Sequence, residues 1–307
     1  MNREQARRIV IAANPKSGSS SGLGKAQGLK EELQSRGWQV DLTTDLDQMQ
    51  SLVGSYEARG ELRTVVSAGG DGTVAAVLNR ISERIPLTIF PLGSENLLAQ
   101  QYCIPRDVGG VAQMVGGMQI EELDLFRANG KLFLIMVSVG FDARVVQSVH
   151  ENRRSHVTRW AYWMGIWRAL WSYRWPRLEV ESKMEDGWER IGSCHWIFGF
   201  NVPKYAAGIR IMDEAIADDG LIDIGMFEGG GVWSGFWNYV HVVMGRHRRS
   251  RRWKQKRARG LRVSGPEGQV GYQLDGDYGG PLPLEIVHTG TKARLVVPGR
   301  PSNSMHR

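Results

Sequence analysis

Gly69-Gly-Asp-Gly-Thr73 combines two things that phosphate chemistry needs, a backbone free of side chains and a carboxylate. The glycines let the main chain approach a phosphate closely, and a helix starting there favours negative charge. Asp71, set among them, would repel a phosphate unless it takes part in the chemistry. It could take the proton of an attacking hydroxyl or engage Mg²⁺ through water. A glycine turn with a capping aspartate is the plainer alternative. Two better-known phosphate loops fit less well. Gly18 to Ala26 has the outline of a Walker A loop, but five residues separate Gly18 from Gly24 and Ala26 lacks the metal-binding hydroxyl. Gly70-Asp-Gly72-Thr-Val-Ala75 fits the G-x-G-x-x-A dinucleotide pattern, which is expected after a first strand rather than a third.

The elements that must position Asp71 are legible on either side. The β-branched, apolar run at 8–13, without alternation, predicts a buried strand, and 38–42, 63–68 and 86–90 read as three further strands. Between them Ala26, Leu29 and Leu33, then Met49, Leu52, Val53 and Tyr56, then Val74, Val77, Leu78 and Ile81 mark helix faces, with Gly37 as a C-cap. This order predicts a parallel sheet covered on both faces. Such sheets bind ligands at the C-terminal ends of their strands. Asn14-Pro-Lys16-Ser17-Gly18 follows the first strand and Gly93-Ser94-Glu95-Asn96 the fourth, so three polar, glycine-containing loops address one edge.

Near residue 122 the pattern changes. A strand at 122–128, the turn Asn129-Gly130 and a strand at 131–137 form a hairpin with a type I′ signal. Further strand-like runs at 178–182, 191–200, 221–227, 261–264, 270–274, 284–288 and 293–297 are interrupted by helical stretches at 156–172 and 232–245. The reading is an α/β domain over 1–121 and a β-rich, sandwich-like domain over 122–300, whose last strand is free to return to the first, then a frayed tail at 301–307. A chain of 307 residues suits two domains at about 150 residues each.

Composition narrows the function classes. Apolar residues are 42% and charged residues 23%, the values of a globular chain. No apolar stretch reaches the roughly 18 residues of a membrane span, and Ile9 to Ala13 is too short for a secretory core. Cys103 and Cys194 can build neither a disulfide framework nor a four-ligand zinc site, and read as two buried thiols of a cytosolic protein. The net charge of +7 is local: residues 246–262 carry ten Lys and Arg and no acid, so the remainder carries −3. A solvated hairpin, a nucleic-acid patch or a membrane contact would each account for that segment. With Trp253 its only aromatic residue, it supports base stacking poorly. Trp160, Trp163, Trp167 and Trp171 recur on one helix face, and Val232, Trp233, Phe236, Trp237, Val240 and Val243 form a second such face that runs straight into the basic segment. Core packing explains such faces; so does an aromatic lip at a bilayer interface, with Arg248, Arg249, Arg251 and Arg252 beside it.

The three loops together resemble those of the diacylglycerol kinase catalytic domain, a family that includes soluble bacterial lipid kinases and sphingosine and ceramide kinases. It is distantly similar to NAD kinases. The resemblance continues through Leu123-Asp124-Leu125, Gly140-Phe141-Asp142-Ala143, Asn201, Tyr205 and Gly208, Asp218-Asp219-Gly220 and Asp275-Gly276-Asp277, nearly the whole chain in order. It implies ATP-dependent phosphorylation of a lipid hydroxyl, with diacylglycerol the leading acceptor and the nucleotide between the domains on the Gly69–Thr73 loop. Asn14, Lys16, Ser17, Gly69, Gly70, Gly72, Thr73, Ser94 and Asn96 would contact the nucleotide, with Thr44 a weaker candidate. Asp71 would be the base or Mg²⁺ organiser, and Asp124 and Asp277 would complete an acidic cluster. In bacterial members a structural Mg²⁺ is held at the segment matching Asp218-Asp219-Gly220; Asp219 would be its ligand, with the carbonyls of Ile216 and Leu221. The implied partners are a lipid at an anionic membrane surface and a second copy of the chain, with nucleic acid disfavoured; the implied location is the cytoplasm, peripherally on a membrane.

Three departures from the family pattern weigh on that reading. Ala75-Ala76 stands where many members have Asn-Glu, Leu97 to Gln100 where many have Asp-Phe-Ala-Arg, and Asp277 where Glu is usual. They open one rival, a nucleotide- and lipid-binding protein with little turnover; the shared Gly69–Thr73 loop opens a second, an NAD kinase-like enzyme.

Overall fold

The computed structural model describes residues 6–17, 22–151, 169–171, 173–205 and 209–299. Trp160, Trp163, Trp167, Gly18 and Gly208 lie outside them. The chain divides into two compact units, Met1–Leu123 with Thr291–Arg307, and Asp124–Gly290.

The first unit alternates strand and helix: β1 (Arg8–Ala13), α1 (Gly22–Ser35), β2 (Gln39–Thr43), α2 (Leu46–Ala58), β3 (Leu62–Gly69), α3 (Asp71–Leu78) and β4 (Leu87–Pro91). Two helices absent from the sequence reading follow, α4 (Leu97–Gln101) and α5 (Val108–Gly117), before β5 (Gln119–Ala128) leads into the second unit. The end of β16 (Leu284–Val297) returns beside β4, giving the order β2-β1-β3-β4-β16 with every neighbour parallel. β3 and β4 are buried at every position, β3 including the polar Arg63, Thr64 and Ser67 among its apolar residues. Helix α1 buries Ala26, Leu29 and Leu33 and closes on Gly37 at φ +86°, as its spacing predicts.

The second unit is a β-sandwich. One layer runs from the N-terminal half of β16 through β13 (Gly260–Ser264) and β8 (Leu178–Met184) to β9 (Gly187–Cys194). The other orders β12 (Trp253–Ala258), β11 (Ile222–Phe227), β10 (Trp196–Phe200), β7 (Met136–Val139), β14 (Gly271–Leu274) and β15 (Asp277–Pro281). Val137, Ile197, Ile224 and Leu274 on one layer share a core with Val180, Leu261, Leu284 and Ile286 on the other. β5 and β6 (Lys131–Phe133) form the expected hairpin, with Asn129 at φ +44° and Gly130 at φ +89°. Helix α6 (Phe141–Glu151) packs on β7 and β14, and α7 (Val232–Val243) carries the second aromatic face.

Three sequence expectations change. The run 191–200 splits into two strands around His195, and the two last runs fuse into β16. The basic segment contains a whole strand, β12, pairing Asp223 with Arg257 and Ile224 with Lys256 at the sheet's edge. Lys and Arg on an edge strand discourage pairing with another chain, so part of that charge has a structural reason. Cys194 is buried as expected, but Cys103 is exposed, in a turn at φ +53° after α4. Among the described residues no helix is long and apolar enough to cross a membrane.

Candidate active site

The three loops lock onto one another at the C-terminal edge of the first unit's sheet. Asn14 follows β1; its amide donates to the Ala68 carbonyl at 3.0 Å and its side-chain nitrogen to Thr73 Oγ1 at 3.2 Å. Its Oδ1 accepts from the Lys16 amide at 2.9 Å and its carbonyl from the Ser17 amide at 3.0 Å, so one asparagine shapes its own loop and ties it to the second. The second and third loops touch backbone to backbone. A Cβ on Gly93 would lie 2.6 Å from the Gly70 Cα, and one on Gly69 would lie 2.2 Å from Thr73 Oγ1. Asn96, buried and left-handed at φ 53°, accepts from the Gly93 amide at 3.1 Å and donates to the Gly93 carbonyl at 2.6 Å. Asparagine tolerates that conformation better than most residues.

Asp71 opens α3 and bridges the second loop to the third. Its two carboxylate oxygens accept from the amides of Leu97 at 2.9 Å and Leu98 at 3.3 Å, the first residues of α4. Burial pushes its pKa up, against the amides of Leu97, Leu98 and Asp71 itself, which pull it down. A carboxylate offers about four lone-pair positions, so room remains for a further donor. Capping and chemistry are therefore compatible in this one side chain.

Beside the first two of these loops lies a cleft of about 280 Å³, lined by Asn14, Lys16, Thr44, Gly72, Thr73 and Ala76 among others, with Asp71 and the third loop next to its wall rather than in it. Five of these are residues that the sequence reading assigned to a nucleotide, including Thr44. The sixth, Ala76, places a methyl group where the family pattern suggests a glutamate. Every lining residue belongs to the first unit. Lys16 and Ser94 are exposed on their loops.

The acids of the second unit are placed differently. Asp124 is fully buried; one oxygen accepts from the Gly220 amide at 2.5 Å and the other lies 3.3 Å from His288 Nε2. Its carbonyl accepts from Asn201 Nδ2 at 2.9 Å. It thereby pins the 217–220 turn. Asp277 is exposed at the start of β15. Asp275 is buried and accepts from the amides of Leu134, Ile135 and Met136, each at 2.9 Å. Among the described residues no three His, Cys, Asp or Glu side chains gather as a metal site.

The expected structural metal meets a different donor set. One oxygen of Asp219 accepts from the Leu221 amide at 3.0 Å, and the other is paired with the Arg257 guanidinium. Arg257 Nε also lies 3.3 Å from buried Asp223. Ile216 is exposed. A guanidinium thus stands between two carboxylates, Asp219 and Asp223, at the turn where a divalent ion was expected.

Two of the candidate membrane arginines are tied within the protein: Arg248 pairs with Glu214 at 3.0 Å, and Arg252 donates to Ser234 Oγ at 2.7 Å. Arg249, Arg251 and Trp171 are exposed. Trp253 is core, since a Cβ on Gly225 would lie 2.2 Å from its ring.

A buried polar network escaped the sequence reading. Asp142 accepts from Ser138 Oγ at 2.6 Å, from Tyr205 OH and from Gln273 Nε2 at 3.4 Å, and burial pushes its pKa up. The motif around Asp142 was visible, but two of its partners, Tyr205 and Gln273, come from distant places in the chain, and no spacing announces them.

The diacylglycerol kinase catalytic domain family matches residues 8–128, and the YegS C-terminal NAD kinase β-sandwich-like domain family matches residues 135–299. A Mycobacterium tuberculosis protein named diacylglycerol kinase is 28% identical over 298 residues, 93% of this chain and 94% of its own. A Pseudomonas syringae protein named "Probable lipid kinase YegS-like" is 31% identical over 200 residues, so the match spans 62% of each chain. Among solved structures, a diacylglycerol kinase from Bacillus anthracis aligns with a TM-score of 0.68 at 17% identity, over 95% of this chain and 98% of its own. Yeast NADH kinase aligns at 0.54 and 11% identity, over 98% and 89%, so the fold extends to both groups. With both units matched in sequence and the same two-part fold in the solved relatives, the chain belongs to the diacylglycerol kinase catalytic-domain family, in the form that carries a YegS-type C-terminal sandwich.

Proposed function

We propose that this protein is an ATP-dependent lipid kinase that transfers the γ-phosphate to a lipid hydroxyl, with diacylglycerol the leading acceptor. One observation carries the reading: Asp71 stands where three interlocked loops meet beside a cleft, its carboxyl raised by burial and with lone pairs to spare. A carboxylate whose basicity is raised by burial and that can still accept a proton suits activation of a hydroxyl. Asn14, Lys16, Thr44, Gly72 and Thr73 would hold the nucleotide, with the start of α3 facing its phosphates. Magnesium carried with the triphosphate supplies charge neutralisation. The kinase names of relatives over most of the chain support the general reading; the acceptor rests on those names alone.

Ala76 in the cleft wall supports a second reading, a nucleotide- and lipid-binding protein with little turnover. The test is transfer from γ-labelled ATP with Mg²⁺ into a panel of lipid alcohols, with NAD in a parallel reaction and Asp71→Asn as control. A labelled lipid that disappears in the variant is the expected result. ATP binding without labelled lipid would establish the second reading. Label in NAD would move the chain to the NAD kinase side of the fold.

A further inference from the structure

Helix α7 is built inside out. Its buried face carries Ser234, Gly235, Asn238 and Val242, where a Cβ on Gly235 would lie 1.9 Å from the ring of Trp175. Its outer face carries Trp233 at 71% exposure and Trp237 at 57%, one turn apart, and runs on to Met244 at 55%. Trp171, 60% exposed, meets Trp233 edge to face with centroids 6.2 Å apart. Three exposed indoles on one patch are costly in water. Tryptophan is the residue that favours the bilayer interface, where the ring is buried and the N–H stays wet.

The chain then turns directly into cations. A single 3₁₀ turn at His247–Arg249 is held by buried His247, whose Nε2 lies 2.8 Å from the Ile211 carbonyl and whose ring packs on Trp253 at 4.9 Å. Arg248 and Arg252 are bonded to Glu214 and Ser234, and Lys256, Arg257, Arg259 and Arg262 to acids of their own. Among the described residues no carboxylate pairs with Arg246, Arg249, Arg251 or Lys254, all exposed. Three of these four cations, Arg246, Arg249 and Arg251, lie in the stretch that directly follows α7 in the chain.

We propose that the outer face of α7 and the turn after it form a docking surface for an anionic bilayer, Trp171, Trp233 and Trp237 entering the interface and Arg246, Arg249 and Arg251 meeting lipid phosphates. The bilayer as occupant rests on the lipid-kinase reading and on the chemistry of the patch. A second copy of the chain would bring like charges face to face. A nucleic acid would match the cations but leave Met244 and Val243 against water or phosphate.

The test is flotation of the full chain, without nucleotide, on vesicles of phosphatidylcholine with or without phosphatidylglycerol at about one third of the lipid. The anionic vesicles should carry the protein and the neutral ones should not. Each cation at such a surface contributes about a fivefold factor, so Arg246→Ser/Arg249→Ser/Arg251→Ser should lower partitioning about 100-fold. Trp233→Ser/Trp237→Ser should lower it at least about tenfold on the same vesicles. All five side chains are exposed, so both variants should keep the parent's melting temperature. Equal partitioning on neutral vesicles, no partitioning at all, or partitioning unchanged in either variant would overturn the proposal. So would tighter binding to an oligonucleotide than to the vesicles, or a dimer in solution that only the tryptophan variant loses. Because no turnover is measured, failure here leaves the kinase reading to its own transfer assay.

Discussion

Asp71 in the first unit and Asp275 in the second do the same local job, gripping the backbone amides of a neighbouring segment. Their surroundings make them different objects. Asp275 is buried and spends itself on three amides at 2.9 Å inside a packed sandwich. Asp71 is half-buried at a sheet edge beside a cleft and spends itself on two. The first fastens a fold. The second shapes a loop and keeps the capacity to meet a ligand.

The comparison breaks most sharply at Asp71. Replacement by Asn should lower phosphate transfer by about 10²–10⁴, the usual worth of a positioned base, while the melting temperature moves little. Burial raises its carboxyl pKa, so the rate should fall with decreasing pH at values above the ordinary carboxylate range of about 4. The same shift has the opposite sign for stability: the protonated form is favoured in the fold, so this residue's contribution is present below the unfolded pKa and lost as pH rises through the raised one. Asp71→Asn should remove the acid limb of the rate profile and flatten that part of the stability profile. A parent and variant with superimposable pH–rate profiles would make Asp71 another fastener.

Asp275→Ala should show the converse. Three amides lose their acceptor in the interior, which costs about 3–5 kcal/mol in a denaturant melt. A loss below about 1 kcal/mol would mean that water reaches those amides, and the contrast with Asp71 would fail. Between these extremes lies Gly93→Ala. Its methyl group would sit 2.6 Å from the Gly70 Cα, so two loops must part by some tenths of an ångström. Overpacking of this kind costs about 1–3 kcal/mol. Because the displaced loops adjoin the cleft, ATP affinity should fall further than stability does. Calorimetric titration against a matched melt separates the two.

The contrast also explains what the sequence could tell. The first unit's edge was legible because its chemistry is local: each loop is a short run after a strand, and glycine at 69, 70 and 93 marks the close approaches the backbone makes. The sandwich was legible as a class from its apolar runs, although a continuous run at 191–200 hid the break at His195. Bonds between distant segments were not legible. Asp142 finds Tyr205 and Gln273, and Asp124 finds Gly220 and His288, through pairings that only the folded sheets create. Strand β12 was hidden for another reason: its Lys254-Gln-Lys-Arg257 run resembles a solvated segment until β11 is seen beside it.

The smallest expected effect is a null one, and it concerns the same difference between fastening and binding. Asp219 and Asp223 flank Arg257, with Asp223 and Arg257 directly paired across β11 and β12. Burial raises the Asp223 carboxyl pKa, and the guanidinium works against that rise. With a guanidinium standing between the two carboxylates, stripping divalent metal with EDTA should leave the melting temperature where it was, and added Mg²⁺ should not raise it. Arg257→Leu should then cost about 1–2 kcal/mol, a buried-pair penalty discounted because Arg257 is itself 39% exposed. That cost should grow as pH rises and Asp223 is forced to ionise without its partner. In the variant alone, Mg²⁺ should recover part of the loss. If EDTA instead lowers the melting temperature of the parent, a metal shares the Asp219 turn and Arg257 is its neighbour rather than its replacement.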